Sequence, residues 1–384
     1  MRIALFDYIV TSDNAIGKCD LAILAALCEE HEFTVFSTRF ENPRPERIRW
    51  VQVPAPRRPM ALLYVVFHLL APICYAWHCL RRRMRFDVVQ VIESNLLFGD
   101  IAYSHFCHRA FLDLHWKRIS AGGLRGALRW LDHQLRALLE PWVYRRARRI
   151  VAPSHGLCRE LSSAYPRASA KIRVLANPVD LESLWPPADF DRCAFRESLG
   201  WTPKDVVLAF VALGHYERKG LPVLLEALLT ANDSRLKVIV VGGSSESIAA
   251  YRERANRSGL NGNVKFVRTQ RDVRPYLWAA DALTLPSYYE VFPLVVLEGA
   301  AAGLPLLVTP LNGVEEFLHD GENGLLMQHS ALGVSDCLAR FAGMPVETRR
   351  RMGLRARADV ERYGITEFVA GWSRLYAEAG SHAS

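Results

Sequence analysis

A chain of 384 residues is too long for one ordinary domain and comfortable for two. Half hydrophobic (50%) and 23% charged, it is not a disordered, collagen-like or coiled-coil chain. The net charge of +8 is uneven: residues 1–180 hold 26 Lys+Arg against 16 Asp+Glu, and residues 181–384 hold 22 against 24. The first half therefore reads as facing something anionic: nucleic acid, a membrane surface or a phosphorylated substrate.

In chain order, apolar runs alternate with amphipathic stretches, the pattern of parallel sheets covered by helices. MRIALFDYIV reads as a first buried strand, Ile3–Phe6, and lacks the small-residue cleavage site of a secretion signal. Strands follow at Thr34–Ser37, Ile48–Val53 and Val88–Val91, with helices over Lys18–Glu30, Ala61–Arg82 and Leu124–Arg148. The stretch Ala61–Leu80 is long enough to cross a membrane, yet His68, Pro72 and His78 interrupt it and Arg81, Arg82 and Arg83 follow it. Three readings stay open: a buried or interface-seeking helix, one-sided insertion, or a span. A strand at Ile150–Ala152 leads into a helix Gly156–Ala164 capped by Ser154, then a strand Lys171–Leu175. Leu181 to about Phe190 is the expected linker. Beyond it come strands at Val206–Val211, Leu236–Val241, Val264–Val267, Ala282–Leu285 and Pro305–Thr309. Helices are expected at Leu221–Ala231, Ser247–Ser258, Val273–Ala280 and Pro293–Ala302. Two α/β domains result, over 1–180 and 190–364, with a helix over about 365–384 packing back on the first. The eight cysteines form no CxxC pair and read as reduced thiols of a cytoplasmic protein.

Chemistry concentrates in Pro286–Glu298. Glu290 lies in a loop after a strand and Glu298 in the helix that follows, eight residues on. Between them is a helix N-terminus, whose N–H groups suit a phosphate. Two glutamates at this spacing are also common on ordinary surfaces. Arg218 and Lys219, at the start of a helix, are suited to neutralising a diphosphate. Other signals are weak. Gly17-Lys18 lacks the rest of a phosphate-binding P-loop, and Asp189 and Asp191 form a lone D-x-D in the linker. Cys74, His78 and Cys79 are read as packing residues.

The run Ser287, Glu290-Val-Phe-Pro, Glu298, Gly303-Leu-Pro305 resembles the E-x7-E signature of the retaining glycosyltransferases called group 1 or family 4. Asn312-Gly313-Val-Glu315-Glu316 and Asp320-Gly-Glu-Asn-Gly324-Leu-Leu continue the likeness. Gly214 through Arg218-Lys219-Gly220 is similar to the family's R-K-G loop, and Lys171 through Asp180 to its K-I-x-V segment. Val291 and Pro178 stand where the family has glycine. The glycine-rich loop many members carry after the first strand is reduced to Gly17. The resemblance is specific over about 150–330 and architectural over the first hundred residues.

The resemblance implies the so-called GT-B architecture, two Rossmann-like domains with parallel sheets facing across a cleft. The first would bind an acceptor and the second a nucleotide sugar. It implies that Arg218 and Lys219 neutralise the leaving diphosphate, Glu290 holds sugar hydroxyls and Glu298 the nucleotide ribose. Gly214, Arg268 and Thr269 would line the donor site, and Val291, Phe292, Pro293 and Leu294 would lie against its phosphates. A histidine, His105 or alternatively His108, would contact the donor sugar. The expected activity is hexosyl transfer with retention from a UDP- or GDP-linked sugar, with no cofactor and no essential metal. The acceptor would be a glycan or lipid-linked molecule of cell-envelope or lipopolysaccharide synthesis. Arg81–Arg85 and the basic helix Leu124–Arg149 would dock the protein peripherally on the anionic inner face of the plasma membrane. A sugar-nucleotide epimerase or a phosphorylase on the same fold is the alternative. A nucleic-acid-binding protein is a weaker one, since it leaves the glutamates and the R-K-G loop without a role.

Overall fold

Strands apolar on both faces are satisfied only inside a parallel sheet with helices on either side. The computed structural model, which describes residues 1–56, 59–119 and 123–381, has one seven-stranded and one six-stranded sheet of this kind. The chain divides into two compact units, Met1–Pro178 with Ile365–Ser384, and Val179–Gly364.

The N-terminal unit contains β1 (Arg2–Phe6), β2 (Glu32–Ser37), β3 (Arg49–Gln52), β4 (Val88–Ile92), β5 (Ile101–Tyr103), β6 (Arg149–Ala152) and β7 (Ile172–Val174). They lie in the order β3-β2-β1-β4-β5-β6-β7, all parallel. Ala4 in the central strand sits opposite Thr34 on one side and Val89 on the other. Helices α1 (Ala15–Leu27), α2 (Met60–Arg82), α3 (Gly123–Arg146) and α4 (His155–Ala164) connect them. α1 begins three residues earlier than its apolar pattern predicts, because the Asn14 side chain accepts from the Gly17 N–H at 2.6 Å and caps it there. Ser154 caps α4 as its position predicts, accepting from the Leu157 N–H at 3.0 Å. β5 is not signalled as a separate strand, since three residues cannot show a period.

The C-terminal helix Ile365–Gly380 belongs to this unit. Trp372 and Tyr376 are fully buried; the Trp372 ring packs 4.9 Å from that of Tyr103, and the Tyr376 hydroxyl donates to Gln90. The last three residues of the helix expected over 365–384 lie outside the described residues.

The second unit contains β8 (Val206–Val211), β9 (Leu236–Val241), β10 (Val264–Val267), β11 (Ala282–Leu285), β12 (Leu306–Val308) and β13 (Gly324–Leu326), in the order β10-β9-β8-β11-β12-β13. Helices α5 (Leu221–Ala231) and α6 (Leu294–Ala301) follow β8 and β11. Within each large sheet the first six strands run 3-2-1-4-5-6, the doubly wound order. The stretch Leu181–Phe190 is not the free linker its composition predicts. Trp278 Nε1 donates to the Leu184 carbonyl at 2.7 Å and the Arg357 guanidinium lies 4.5 Å over Trp185, so the segment is packed into the second unit. Asp191 of the D-x-D pair caps the helix Arg192–Ser198, accepting from the Ala194 N–H at 2.9 Å. All eight cysteines are free thiols, and His78, between Cys74 and Cys79, packs against Phe36 and Phe86.

Candidate functional site

In a doubly wound sheet the connections after the first and fourth strands leave to opposite faces, which opens a crevice at their carboxyl ends. In the second unit that switch point lies between the loops after β8 and β11, residues 212–220 and 286–293. Arg218, Lys219 and Glu290 sit on these two loops. Lys219 Nζ is 2.7 Å and Arg218 Nη1 3.3 Å from Glu290 Oε1, and Ser287 Oγ donates to the same oxygen at 3.3 Å. Arg218 Nη1 also donates to the Tyr289 carbonyl at 2.7 Å, and the Tyr289 neighbour Tyr288 donates its N–H to the Arg218 carbonyl at 2.9 Å. The two loops are thereby fastened to each other. Burial alone would push the Glu290 carboxyl up; Arg218 and Lys219 outweigh it and hold the group below its usual range. The site is thus an ionised carboxylate between two cations, buried enough for each charge to matter.

Local backbone chemistry fixes this arrangement. Gly220, at φ +81°, is the N-cap of α5, and a Cβ there would run into the Pro286 carbonyl oxygen. Arg218 and Lys219 therefore precede the helix and do not form its first turn. Thr309 Oγ1 donates to the Ser287 carbonyl at 2.6 Å and holds the second loop from β12.

The remaining predicted donor residues are distributed around this pair of loops. Gly214 is half-buried in the loop after β8, with open space where a Cβ would be. Arg268 is exposed just after β10, and Thr269 beside it donates to the Gly243 carbonyl at 3.4 Å, tying the ends of β9 and β10. Val291, Phe292, Pro293 and Leu294 are buried, and Phe292 packs on Gly313. They form an apolar floor at the start of α6. Glu298 is half-buried within α6. The contacts that unite side chains join Arg218, Lys219 and Glu290; Gly214, Arg268 and Thr269 lie outside that triad.

The N-terminal unit has a second polar cluster at its own switch point, between β1 and β4. Asp7 Oδ1 accepts from the Tyr8 N–H at 2.7 Å and from Asn95 Nδ2 at 3.0 Å. Glu93, in the left-handed region at φ +50°, places its carboxylate 3.6 Å from Arg136 Nη1 and 3.6 Å from His108 Nε2. A non-glycine residue held there stores strain of the kind found at functional sites. Burial raises the Glu93 carboxyl, but His108 and Arg136 prevail and keep it low; burial drives that of Asp7 up to about 8. His105 follows β5 on the same edge. Its ring lies 4.1 Å from that of Tyr103, Nε2 is buried without a hydrogen-bond partner among the described residues, and burial pushes its pKa down to about 4. His108 is instead drawn into helix packing, with Nδ1 2.9 Å from His133 Nδ1 and its N–H donated to Glu140 at 2.7 Å. Asp7, Glu93, Asn95 and Arg136 are absent from the sequence-based site. The available signal was a charged residue directly after an uninterrupted apolar strand, at Asp7 and at Glu93.

Two family profiles match the chain: "Glycosyltransferase Family 4" over residues 21–183 and "Glycosyl transferases group 1" over residues 205–341. The chain carries a family 4 glycosyltransferase domain followed by a group 1 glycosyltransferase domain. Among curated relatives, the D-inositol 3-phosphate glycosyltransferase of Streptomyces scabiei is 33% identical over 257 residues, 64% of this chain and 57% of that one. That of Nocardia farcinica is 33% identical over 64% of this chain and 55% of its own. The match thus spans little more than half of those relatives. Among solved structures, WaaG, a glycosyltransferase involved in lipopolysaccharide biosynthesis, aligns with a TM-score of 0.79 at 16% identity, covering 97% of this chain and 99% of that one. Sucrose-phosphate synthase from Thermosynechococcus elongatus aligns at 0.76 with 17% identity, over 99% of each chain. Anabaena HepE, solved with UDP-glucose, aligns at 0.73 with 16% identity, over 98% of this chain and 100% of that one. The chain has the GT-B fold of these proteins.

Proposed function

We propose that this protein transfers a hexosyl group, with retention of anomeric configuration, from a UDP- or GDP-linked sugar to a glycan or lipid-linked acceptor in cell-envelope synthesis. The observation that carries the reading is the meeting of Arg218, Lys219 and Glu290 at the switch point of the second unit. Breaking a sugar–diphosphate bond develops negative charge on the leaving phosphate, and preorganised cations lower that barrier most. Lys219 and Arg218 supply such charge on a rigid pair of loops without a metal ion. Glu290 holds them apart from solvent and presents a carboxylate to sugar hydroxyls; Glu298 binds the ribose. His105, neutral above about pH 4, contacts the sugar without adding charge, and Asp7, Glu93 and Arg136 form the acceptor side. The solved HepE complexes with UDP and UDP-glucose support a nucleotide-sugar donor. WaaG and its part in lipopolysaccharide biosynthesis support an envelope acceptor.

A panel of nucleotide sugars scored for binding by calorimetry and for slow hydrolysis tests this. Binding of one UDP- or GDP-sugar, with hydrolysis that survives EDTA, is expected. Interconversion of the sugar without an acceptor would instead identify an epimerase, and a strict need for orthophosphate a phosphorylase. The anomeric configuration of the product, read by NMR, decides retention.

A further inference from the structure

One helix face is left unused by everything above. α2 lies with one side on the N-terminal sheet: Leu63, Tyr64, Phe67 and Ala71 are at most 2% exposed, and the Phe67 ring meets that of Tyr8 at 4.9 Å. Its opposite side carries Leu62, Val65, Leu69, Ile73, Trp77 and Leu80, exposed by 46% to 73%. The steps of three and four residues make one continuous stripe along the helix. A surface helix normally turns a polar face outward, and a large apolar patch marks an interaction site. No Asp or Glu occurs from Arg47 to Phe86. Among the described residues α2 is the one helix long and apolar enough to cross a membrane. Crossing would strip Leu63, Phe67 and Ala71 from the sheet, so the helix can meet a membrane only lying flat, with its stripe outward. Arg83, at φ +50°, ends the helix, and Arg81, Arg82, Arg83 and Arg85 are all exposed there.

We propose that this stripe, with the arginines at its end, docks the protein in the interfacial plane of an anionic lipid bilayer. The apolar side chains enter the headgroup–acyl boundary, Trp77 sits at headgroup depth, and the arginines pair with lipid phosphates. Charge selects a bilayer over a second copy of the chain. The sequence is basic on both sides of the stripe, at Arg57-Arg58 and at Arg81–Arg85. Two copies meeting by this face with their Arg81–Arg85 ends together would bring like charges into contact, whereas an anionic surface complements that end. Helix α3, which touches α2 where the Arg136 guanidinium lies 4.9 Å over the Tyr64 ring, also exposes Leu138 and Trp142. The proposal deepens the lipid-linked acceptor of the proposed function and rests on it for purpose, not for chemistry.

Co-sedimentation of the full chain with phosphatidylcholine vesicles, plain or mixed with phosphatidylglycerol, tests it. The intact protein is expected to pellet with the anionic vesicles. An Ile73→Glu/Trp77→Glu variant, altered only at exposed positions, and an Arg81→Gln/Arg82→Gln/Arg83→Gln variant should each lose about tenfold or more in partitioning. The second should also lose its salt dependence. Circular dichroism melts and nucleotide-sugar calorimetry without lipid should be unchanged in both. Failure of the intact protein to bind either vesicle, or equal binding by the variants, overturns the proposal. So does a lipid-free dimer that the Ile73→Glu/Trp77→Glu variant dissociates. Vesicle binding without nucleotide-sugar affinity upholds the surface and overturns the transfer reading; the reverse result overturns the surface alone.

Discussion

Glu290 and the two cations beside it set the behaviour expected of single residues. Arg218 and Lys219 are both paired with the single carboxylate of Glu290, which leaves one positive charge uncompensated, so an incoming diphosphate meets a net positive site and shares or displaces that carboxylate. Replacing Glu290 by Gln frees both cations. UDP affinity, measured by calorimetry, is then expected to hold or rise while turnover falls by about 100-fold, the scale of losing one transition-state contact. Lys219→Ala and Arg218→Ala remove the cations themselves and are expected to cost about 2–4 kcal/mol in kcat/KM. His105 makes a different prediction. Its pKa is pushed down to about 4, so the ring stays neutral across the ordinary assay range. The pH–rate profile should carry no break near 6.5 from this residue, and His105→Ala should leave the shape of the profile above pH 5 unchanged.

At the scale of elements, the site depends on two loops held together at their backbones. Gly220 is the narrowest point: at φ +81° and against the Pro286 carbonyl, it has no room for a side chain. Gly220→Ala must separate the loop before α5 from the loop after β11. The expected cost is about 2–4 kcal/mol, among the larger single-mutation effects. It should be read as a lowered Tm together with lost nucleotide-sugar affinity. Ser154→Ala, which removes only the cap of α4, should cost about 1 kcal/mol with no change in affinity. The contrast separates loop geometry from general stability.

For the whole molecule, buried titratable groups in the N-terminal unit govern pH dependence. Asp7, pushed up to about 8 by burial, keeps its proton in the fold where an unfolded chain loses it near pH 4. Its contribution is present below about pH 4 and is lost as pH rises through about 8, at up to about 1.4 kcal/mol per pH unit. Asp20, also buried, with neither carboxylate oxygen partnered among the described residues, is raised too and acts in the same sense. His105 opposes them. Its neutral ring stabilises the fold above pH 6.5, and that gain is lost as pH falls toward 4. Denaturant melts from pH 5 to 8 should show stability of this unit falling with pH, and Asp7→Asn should flatten the slope. The return of the C-terminal helix is the second whole-molecule feature. Trp372 is fully buried in the N-terminal unit, so Trp372→Ala should cost about 3–5 kcal/mol and lower the transition of that unit alone.

Much of this was written in the chain itself. Apolar runs of four to six residues separated by amphipathic stretches require buried parallel strands and covering helices, because a backbone flanked by apolar side chains must pair inside a sheet. α5 and strands β8, β9, β10 and β11 were legible to the residue, and the E-x7-E and R-K-G segments located the loops that meet at Glu290. The chain alone could not show what depends on distance in space. Asp7, Glu93 and Arg136 are separated by tens of residues and share no local pattern; strand order brings the first two together, and the packing of α3 adds Arg136. The three-residue strand β5 is too short to show a period. Leu181–Phe190 looked like a linker because proline and acid mark irregular backbone, but Trp185 and Trp278 bind it down. Composition likewise marked Ala61–Leu80 as apolar and left its use undecided. Only the tertiary structure splits it into a face that packs on the sheet and a face that does not, because burial is decided by neighbours and not by residue type.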